Sequence, residues 1–473
     1  MKDRLKKNIV YQMAYQSLVL LYPLLTTPII SRALGSEVLG IYSYTQGIAF
    51  YFSLIALLGI ATYGAREIAY RRDSKQGMRD FFWELYTIQV LCSVGTMALY
   101  LIYCFTLGGR YLLAAICQGS AIVVSLVDIS WFFTGIEEFR TMVIRNTLIK
   151  LLSLAAVYAF IRDTSSLYAF ILIVNGTNVV GQLCIWPQAI KYLGKPHFAV
   201  NHIREHMPYV IKLFIPIMAM NIYVLIDKLV LGNMGSMVAM GYYENSDKLI
   251  KMPIGLASAI SAVIAPRAAY NVSHGDDEEN NEMLLRTVRN VWMLFIPMAF
   301  GLAAIAPQLV PWYFGDQFME CIGYIRTMCP IVFFVITSNI LRLQFFVPKE
   351  MDQEYIKCVA FASVINICIN LSTVKALSGY GIILGTLVGE IFGLIYLYAK
   401  SNRSLQYKKL AVPFLEYVLS SIVMYIAIVA LTSHMGSSFK INVLQMVVGV
   451  AVYGACIGVI WIVTKTASRI RRG

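Results

Sequence analysis

The sequence contains 473 residues, of which 58% are hydrophobic and only 14% are charged. A soluble protein carries about 25% charged residues, so this composition excludes a soluble fold and predicts a polytopic membrane protein. A net charge of +13 would favour a nucleic-acid partner in a soluble protein, but no basic groove with interleaved aromatic residues is visible. Basic loops on the cytoplasmic side of a membrane explain the charge instead, and we expect no nucleic-acid partner.

Long apolar runs predict an all-α fold with about fourteen transmembrane helices. A spanning helix needs about 20 apolar residues, and these runs lack the short alternating pattern of a membrane β-barrel. The runs cover residues 9–31, 39–64, 81–105, 111–134, 143–161, 167–189, 208–231, 238–265, 289–313, 324–346, 355–375, 379–399, 412–433 and 442–464. The basic segment 1–7 precedes no convincing cleavage site, so we expect an uncleaved first helix.

The distribution of basic residues predicts the orientation of the chain. If the N-terminus is cytoplasmic, most basic residues in the loops and at the helix ends fall on the cytoplasmic side, as is typical of membrane proteins. The outer side then carries only Arg32, Arg110, Arg162, Arg326, Lys375 and Lys440. This asymmetry predicts that both termini lie in the cytoplasm.

An internal repeat predicts two parallel lobes. Residues 34–42 read LGSEVLGIY between the first two spans, and residues 235–243 read GSMVAMGYY between the seventh and eighth. A weaker pair is WFF at 131–133 and QFF at 344–346. Repeats six spans apart keep the same orientation in the membrane. We therefore expect an N-lobe of spans 1–6 over residues 1–195, a C-lobe of spans 7–12 over 196–405, and two additional helices with a basic tail over 406–473.

No cofactor, metal site or enzymatic activity is expected. The nine cysteines form no CxxC pair and indicate small core residues rather than disulfides or a zinc site. Residues 202–206 read HIREH, an inverted metalloprotease pattern, but no surrounding domain could complete a zinc site there. The sequence lacks a GxxxxGKS/T loop and a GxSxG motif, which argues against a built-in ATPase and a serine hydrolase.

Charged residues in the eighth span are the strongest functional signal, because ionisable groups are costly inside a bilayer. Glu244, Asp247, Lys248 and Lys251 are spaced i, i+3, i+4 and i+7, which places them on one helical face. This face must meet a cavity or a partner helix. The lysines are candidate anion-binding residues, and the acids are candidate sites for a coupling ion. The alternative is a self-neutralised pair of Glu244 and Lys248 at a helix interface.

Other spans also carry isolated charges. Lys228 lies beside Asp227 in the seventh span, and Arg342 in the tenth span has no obvious local acid, so both cations are candidates for anion binding. Asp128 in the fourth span and Glu390 in the twelfth are lone carboxylates that suit a proton or sodium ion. A buried acid that hydrogen-bonds to its neighbours is the alternative interpretation of each carboxylate.

The sequence resembles the Wzx-like polysaccharide flippases of the multidrug/oligosaccharidyl-lipid/polysaccharide exporter superfamily. The motifs are YPL at 22–24, SRALG at 31–35, LGIY at 39–42, YGAREIA at 63–69 and DISWFFTGIEEF at 128–139. The resemblance implies two lobes around a V-shaped central cavity in the bacterial cytoplasmic membrane. It also implies alternating-access flipping of an undecaprenyl-diphosphate-linked oligosaccharide for O-antigen, capsule or another surface polysaccharide, with membrane lipids, a glycan polymerase and chain-length proteins as partners.

The resemblance adds one residue to the candidate site and leaves two alternatives. Arg32 lies in a motif shared with related flippases that bind the diphosphate through basic residues, so we add it to the candidate anion site. A proton- or sodium-coupled antiporter of drugs or cations with the same fold would require a net acidic cavity. A glycan polymerase or ligase would need a long outer loop with catalytic groups, whereas the predicted outer loops are short.

Overall fold

The chain is almost entirely helical in a computed structural model, which describes residues 2–194, 203–401 and 405–470. These residues form sixteen α-helices and no strand, which confirms the all-α prediction. The helices are α1 (Lys2–Leu57), α2 (Ile60–Arg71), α3 (Lys75–Leu107), α4 (Leu112–Gln118), α5 (Ser120–Val127), α6 (Ser130–Gly135), α7 (Phe139–Phe160), α8 (Leu167–Leu193), α9 (Ile203–Met234), α10 (Met237–Ser273), α11 (Asp277–Tyr313), α12 (Cys321–Leu341), α13 (Asp352–Leu377), α14 (Gly379–Ser401), α15 (Lys408–Thr432) and α16 (Phe439–Ile470).

The helices cover all of the predicted spans. Among the described residues, 12 helical segments are long and apolar enough to cross a membrane. The first, Leu21–Arg71, contains a backbone break at Gly35 (φ 76°, ψ 174°) that separates the first two predicted spans. Such a positive φ favours glycine because a side chain would be strained there. Helix α9 covers the seventh predicted span in addition to these 12 segments.

The second predicted span is interrupted between Leu57 of α1 and Ile60 of α2, and the two spans that carry the weaker repeat are also irregular. The fourth consists of α4, α5 and α6, with a break at Asp128 and Ile129. The tenth continues beyond α12 into a π-helical turn at Arg342–Phe346. The WFF and QFF triplets of the weaker repeat lie at these two irregularities, and all six of their side chains are buried. Irregular backbone inside a membrane protein requires internal hydrogen-bond partners, because lipid supplies none.

The chain divides into two compact units, Met1–Gly241 and Tyr242–Gly473. In the first unit the core includes an aromatic cluster in which Phe82 and Trp131 stack with ring centroids 5.0 Å apart. Helix α9 packs on this unit at Gly47 of α1 and at Gly59 between α1 and α2. The backbone at Gly59 lies against Val210, and Gly47 lies against the aliphatic stem of Lys228, so that a Cβ on Gly47 would be 2.9 Å from the lysine Cδ.

The two copies of the main repeat contact each other through the first turns of their second helices. A Cβ added to Gly40 would lie 1.8 Å from the carbonyl oxygen of Met237, and a Cβ added to Gly241 would lie 2.0 Å from that of Ser36. The contacts are reciprocal, because Ser36 and Gly40 of one copy correspond to Met237 and Gly241 of the other. Small residues one turn apart are typical of helices whose backbones touch in membranes.

Candidate functional site

The four charged residues of α10 form two ion pairs, each between residues one helical turn apart. Lys251 Nζ lies 2.5 Å from Asp247 Oδ2, and Lys248 Nζ lies 3.9 Å from Glu244 Oε1. The acids are the more buried members, since their side chains are 12% and 18% exposed against 29% for Lys248 and 60% for Lys251. The two lysines are therefore the more accessible members of the pairs, on the side from which another anion could approach.

Arg342 and Glu390 meet around a tyrosine of α13. The guanidinium carbon of Arg342 lies 5.5 Å from the ring centroid of Tyr355, and Tyr355 interacts electrostatically with both Arg342 and Glu390. Arg342 Nε is buried without a hydrogen-bond partner among the described residues. The sequence suggested no local acid for Arg342, yet the fold brings α14 and its Glu390 into the same neighbourhood. A cation with a free donor beside a carboxylate is chemically suited to bind an anion or to exchange a proton.

Asp128 has a local role at the break in the fourth span. Its Oδ1 accepts a hydrogen bond of 2.8 Å from the backbone N–H of Ser130, at the start of α6. The amide of Gln89, from α3, donates to the carbonyl oxygens of Ser125 and Asp128 at 2.7 and 2.8 Å, and its oxygen accepts from Trp131 Nε1 at 3.0 Å. The break is therefore internally satisfied, and an ion-coupling role for Asp128 stays a prediction.

The remaining predicted cations lie in the first unit. Arg32 is exposed three residues before the Gly35 break and has no hydrogen bond or ion pair within the described part of the chain. Lys228 is half-buried on Gly47, and its neighbour Asp227 is 3% exposed. Among the described contacts of the first unit, none joins Arg32, Lys228 and Asp128.

Two basic residues inside α7 are missing from the predicted site, because a count of basic residues by loop places them with the cytoplasmic flank of this span. Arg145 is 9% exposed and donates to Gln182 Oε1 at 2.7 Å and to Asn146 Oδ1 at 2.6 Å. Lys150 is half-buried, with Nζ 4.4 Å from the ring centroid of Tyr22. The signal was present, since both residues lie within the predicted run 143–161.

The described part of the HIREH pattern serves as a structural tether. His206 is 8% exposed, with Nε2 3.1 Å from Glu84 Oε2 and Nδ1 3.0 Å from the hydroxyl of Tyr63. His202 lies outside the described residues. Among the described side chains, no three His, Cys, Asp or Glu residues are grouped to hold a metal ion. These contacts fasten the start of α9 to α2 and α3.

Two family models match most of the chain between them. The model described as "Polysaccharide biosynthesis protein" matches residues 5–271, and the model described as "Lipid II flippase MurJ" matches residues 177–452. A protein of Escherichia coli (strain K12) named "Putative O-antigen transporter" is 21% identical over 421 residues, which are 85% of this chain and 99% of that protein. "Lipid II flippase MurJ" of Bacillus subtilis (strain 168) is 22% identical over 190 residues, which are 38% of this chain and 34% of that protein.

Solved structures share the fold at low sequence identity. The inward closed conformation of the lipid II flippase MurJ has a TM-score of 0.73 at 15% identity, covering 96% of this chain and 98% of that chain. An inward-facing multidrug resistance MATE family transporter has a TM-score of 0.64 at 15% identity, covering 85% of this chain and 99% of that chain. These neighbours confirm the predicted exporter-type fold. All four of these similar proteins are named as transporters or flippases, in agreement with the expectation of a transporter rather than an enzyme.

Proposed function

Because the chain belongs to the polysaccharide biosynthesis protein family, we propose that it flips an undecaprenyl-diphosphate-linked oligosaccharide across the bacterial cytoplasmic membrane by alternating access. The observation that carries the proposal is the pair of lysines on α10. Lys248 and Lys251 lie inside a membrane-spanning helix, are partly exposed, and are each paired with an acid one turn away on the same helix.

The substrate makes three demands on the protein. Its diphosphate needs cations, because charge-assisted hydrogen bonds to phosphate are about twice as strong as neutral ones. Its glycan needs a hydrated polar cavity, and its long lipid tail must remain in the bilayer. We assign the diphosphate to Arg32, Lys228, Lys248, Lys251 and Arg342, and the coupling ion to Asp128, Glu244, Asp247 and Glu390. Movement of the two predicted lobes would then expose the site to each side in turn.

Exchange of the anion partner is the chemical step that this assignment requires. In the resting protein, Glu244 and Asp247 neutralise the lysines, so the empty site does not leave bare cations in the membrane. An arriving diphosphate replaces the carboxylates as the partner of the lysines. The displaced acids then carry uncompensated charge and favour uptake of a proton or sodium ion, which supplies a route to coupling. A glycan polymerase and chain-length proteins are the partners that would receive the flipped product.

Reconstitution in liposomes tests the proposed function. Purified protein is mixed with a fluorescent lipid-diphosphate oligosaccharide, and movement between leaflets is followed by quenching with a membrane-impermeant reagent. We expect the wild-type protein to flip the lipid and Lys248→Gln to slow flipping by about tenfold, as expected for loss of one charge-assisted hydrogen bond. The matched control is Lys440→Gln, because Lys440 is exposed at the start of α16.

An antiporter is the second candidate, because α10 carries as many acids as lysines and a multidrug resistance MATE family transporter shares the fold. The same liposomes, loaded with an organic cation and a pH-sensitive dye, distinguish the two functions. Exchange of the cation for protons, with no flipping of any lipid-diphosphate oligosaccharide in a panel, would establish the antiporter and refute the flippase.

A further inference from the structure

Lys150 lies at the centre of a membrane-spanning helix. Helix α7 runs from Phe139 to Phe160, 22 residues, and at 1.5 Å per residue it is about as long as the hydrocarbon core of a bilayer is thick. Lys150 is at its midpoint and is therefore about 15 Å from either interface. The amine of a lysine at a helix end reaches water by extending along the protein surface, but a lysine at the midpoint is too far from the headgroups to do so.

Lys150 lies beside a tyrosine ring whose hydroxyl contacts a serine one turn further along α7. The ammonium nitrogen lies 4.4 Å from the ring centroid of Tyr22 in α1. The Tyr22 hydroxyl is 2.8 Å from Ser153 Oγ, on the same helix as Lys150. A cation–π contact offsets only part of the penalty for burying a charge, and the hydroxyls hydrogen-bond each other. The site thus combines a positive charge with two groups that can donate to an oxygen ligand.

In the described part of the chain, the helices packed against α7 place no carboxylate near its midpoint to neutralise Lys150. Helix α7 packs mainly against α1, α8 and α6, and neither α7, α8 nor α6 contains an aspartate or glutamate. The only acids of α1 are Asp3 and Glu37, which flank the first predicted span at its two ends. This differs from α10, in which each lysine has its own acid one turn away. An intramembrane cation of this kind faces water or a ligand in most membrane proteins.

We propose that Lys150, with the hydroxyls of Tyr22 and Ser153, is an anion-binding site of the first unit that takes the diphosphate of a lipid-linked substrate. The inference rests on the proposed function and adds to it a contact that lies outside the cations assigned above. The ammonium binds a phosphate oxygen, while the Tyr22 ring holds the amine in place and the hydroxyls turn from each other to the ligand. A bound dianion supplies the negative charge that the surrounding helices lack.

The test measures binding rather than transport. Purified protein in detergent is titrated with decaprenyl diphosphate and, separately, with neutral decaprenol, and binding is followed by tryptophan fluorescence. We expect Lys150→Gln to weaken diphosphate binding by about tenfold or more and to leave decaprenol binding unchanged. In Lys150→Arg, which keeps the charge, diphosphate affinity should be largely retained. Equal diphosphate affinity in the wild type and Lys150→Gln would refute the inference while leaving the proposed function intact. If neither the wild type nor Lys440→Gln binds the diphosphate, the proposed function fails as well.

Chemical rescue separates charge from packing. In a background without the nine native cysteines, Lys150→Cys should bind the diphosphate weakly, and attachment of an ethylammonium group to the thiol should restore affinity. Attachment of a neutral hydroxyethyl group of similar size should not. Equal recovery with both reagents would show that Lys150 only fills space beside Tyr22, and the inference would be wrong. The cysteine variant also covers the case in which Lys150→Gln fails to fold.

Discussion

The reciprocal contact between the two repeat copies predicts a specific response to alanine substitution. In Gly40→Ala the new methyl carbon would lie 1.8 Å from the Met237 carbonyl oxygen, and in Gly241→Ala it would lie 2.0 Å from that of Ser36. Ordinary van der Waals contact begins at 3.4 Å, so the two backbones must separate by about 1.5 Å in either variant. Overpacking of this kind destabilises by about 1–3 kcal/mol. We expect a destabilisation of this size for each single variant.

The double variant provides the decisive comparison, because either methyl group separates the same pair of backbones. Once one substitution has opened the contact, the second should add little, and the free energies should be strongly non-additive. Thermal unfolding in detergent, monitored for all four proteins, measures this coupling. The control is Gly176→Ala, since no atom lies within 4 Å of the added methyl, and it should be neutral or stabilising. Additive effects, or unchanged stability in Gly40→Ala, would contradict the close contact.

Three other outcomes are expected. Glycan export in cells should fall in Lys248→Gln at unchanged protein level and should be partly retained in Lys248→Arg, because arginine keeps the charge. Equal export in the wild type and both variants would remove Lys248 from the site. Replacing Gln89 by leucine should destabilise the protein by about 2 kcal/mol or more in thermal unfolding, because it leaves buried carbonyls and the Trp131 N–H without partners; wild-type stability would be inconsistent with that bonding. Reporter fusions at Arg110 and Lys440 should report the outer face and a fusion at Asn280 the cytoplasm, and reversal at two sites would refute the orientation.

The spans could be predicted from sequence because the length of an apolar run by itself determines whether a helix can cross a bilayer. The eighth span shows that local charge patterns are also accessible: the i, i+4 spacing offered the Glu244–Lys248 pair as the alternative to a cavity-facing role, and the structure shows this ion pair at 3.9 Å. Helix interruptions were harder to predict. The sequence of the run 111–134 does not by itself predict the break at Asp128. The break depends on a hydrogen bond from the side-chain amide of Gln89, which lies in a different helix.

Contacts between distant helices explain what the sequence could not predict at the candidate site. Arg342 and Glu390 are 48 positions apart in the sequence, and only the packing of α13 and α14 brings both to Tyr355. Lys150 was left out of the candidate site for a different reason. Counting basic residues by loop treats a lysine near a span boundary as solvent-exposed, and the boundary of this span was uncertain by a few residues. The bounds of α7 in the structure show that Lys150 lies at the midpoint of the helix.

The interruption of the fourth span bears on how the chain enters the membrane during synthesis. The break at Asp128 and Ile129 leaves α4 and α5, over residues 112–127, on one side and the 6 residues of α6 on the other, and both pieces are shorter than the roughly 20 residues of a spanning helix. The carbonyl groups exposed between them are satisfied by Gln89 of the third span, and lipid offers no substitute. The third span is synthesised first, so the side-chain amide of Gln89 is already present when the fourth span leaves the insertion channel. The fourth span therefore depends on the third for hydrogen bonds that lipid cannot supply. We conclude that these two spans enter the bilayer together as one hairpin.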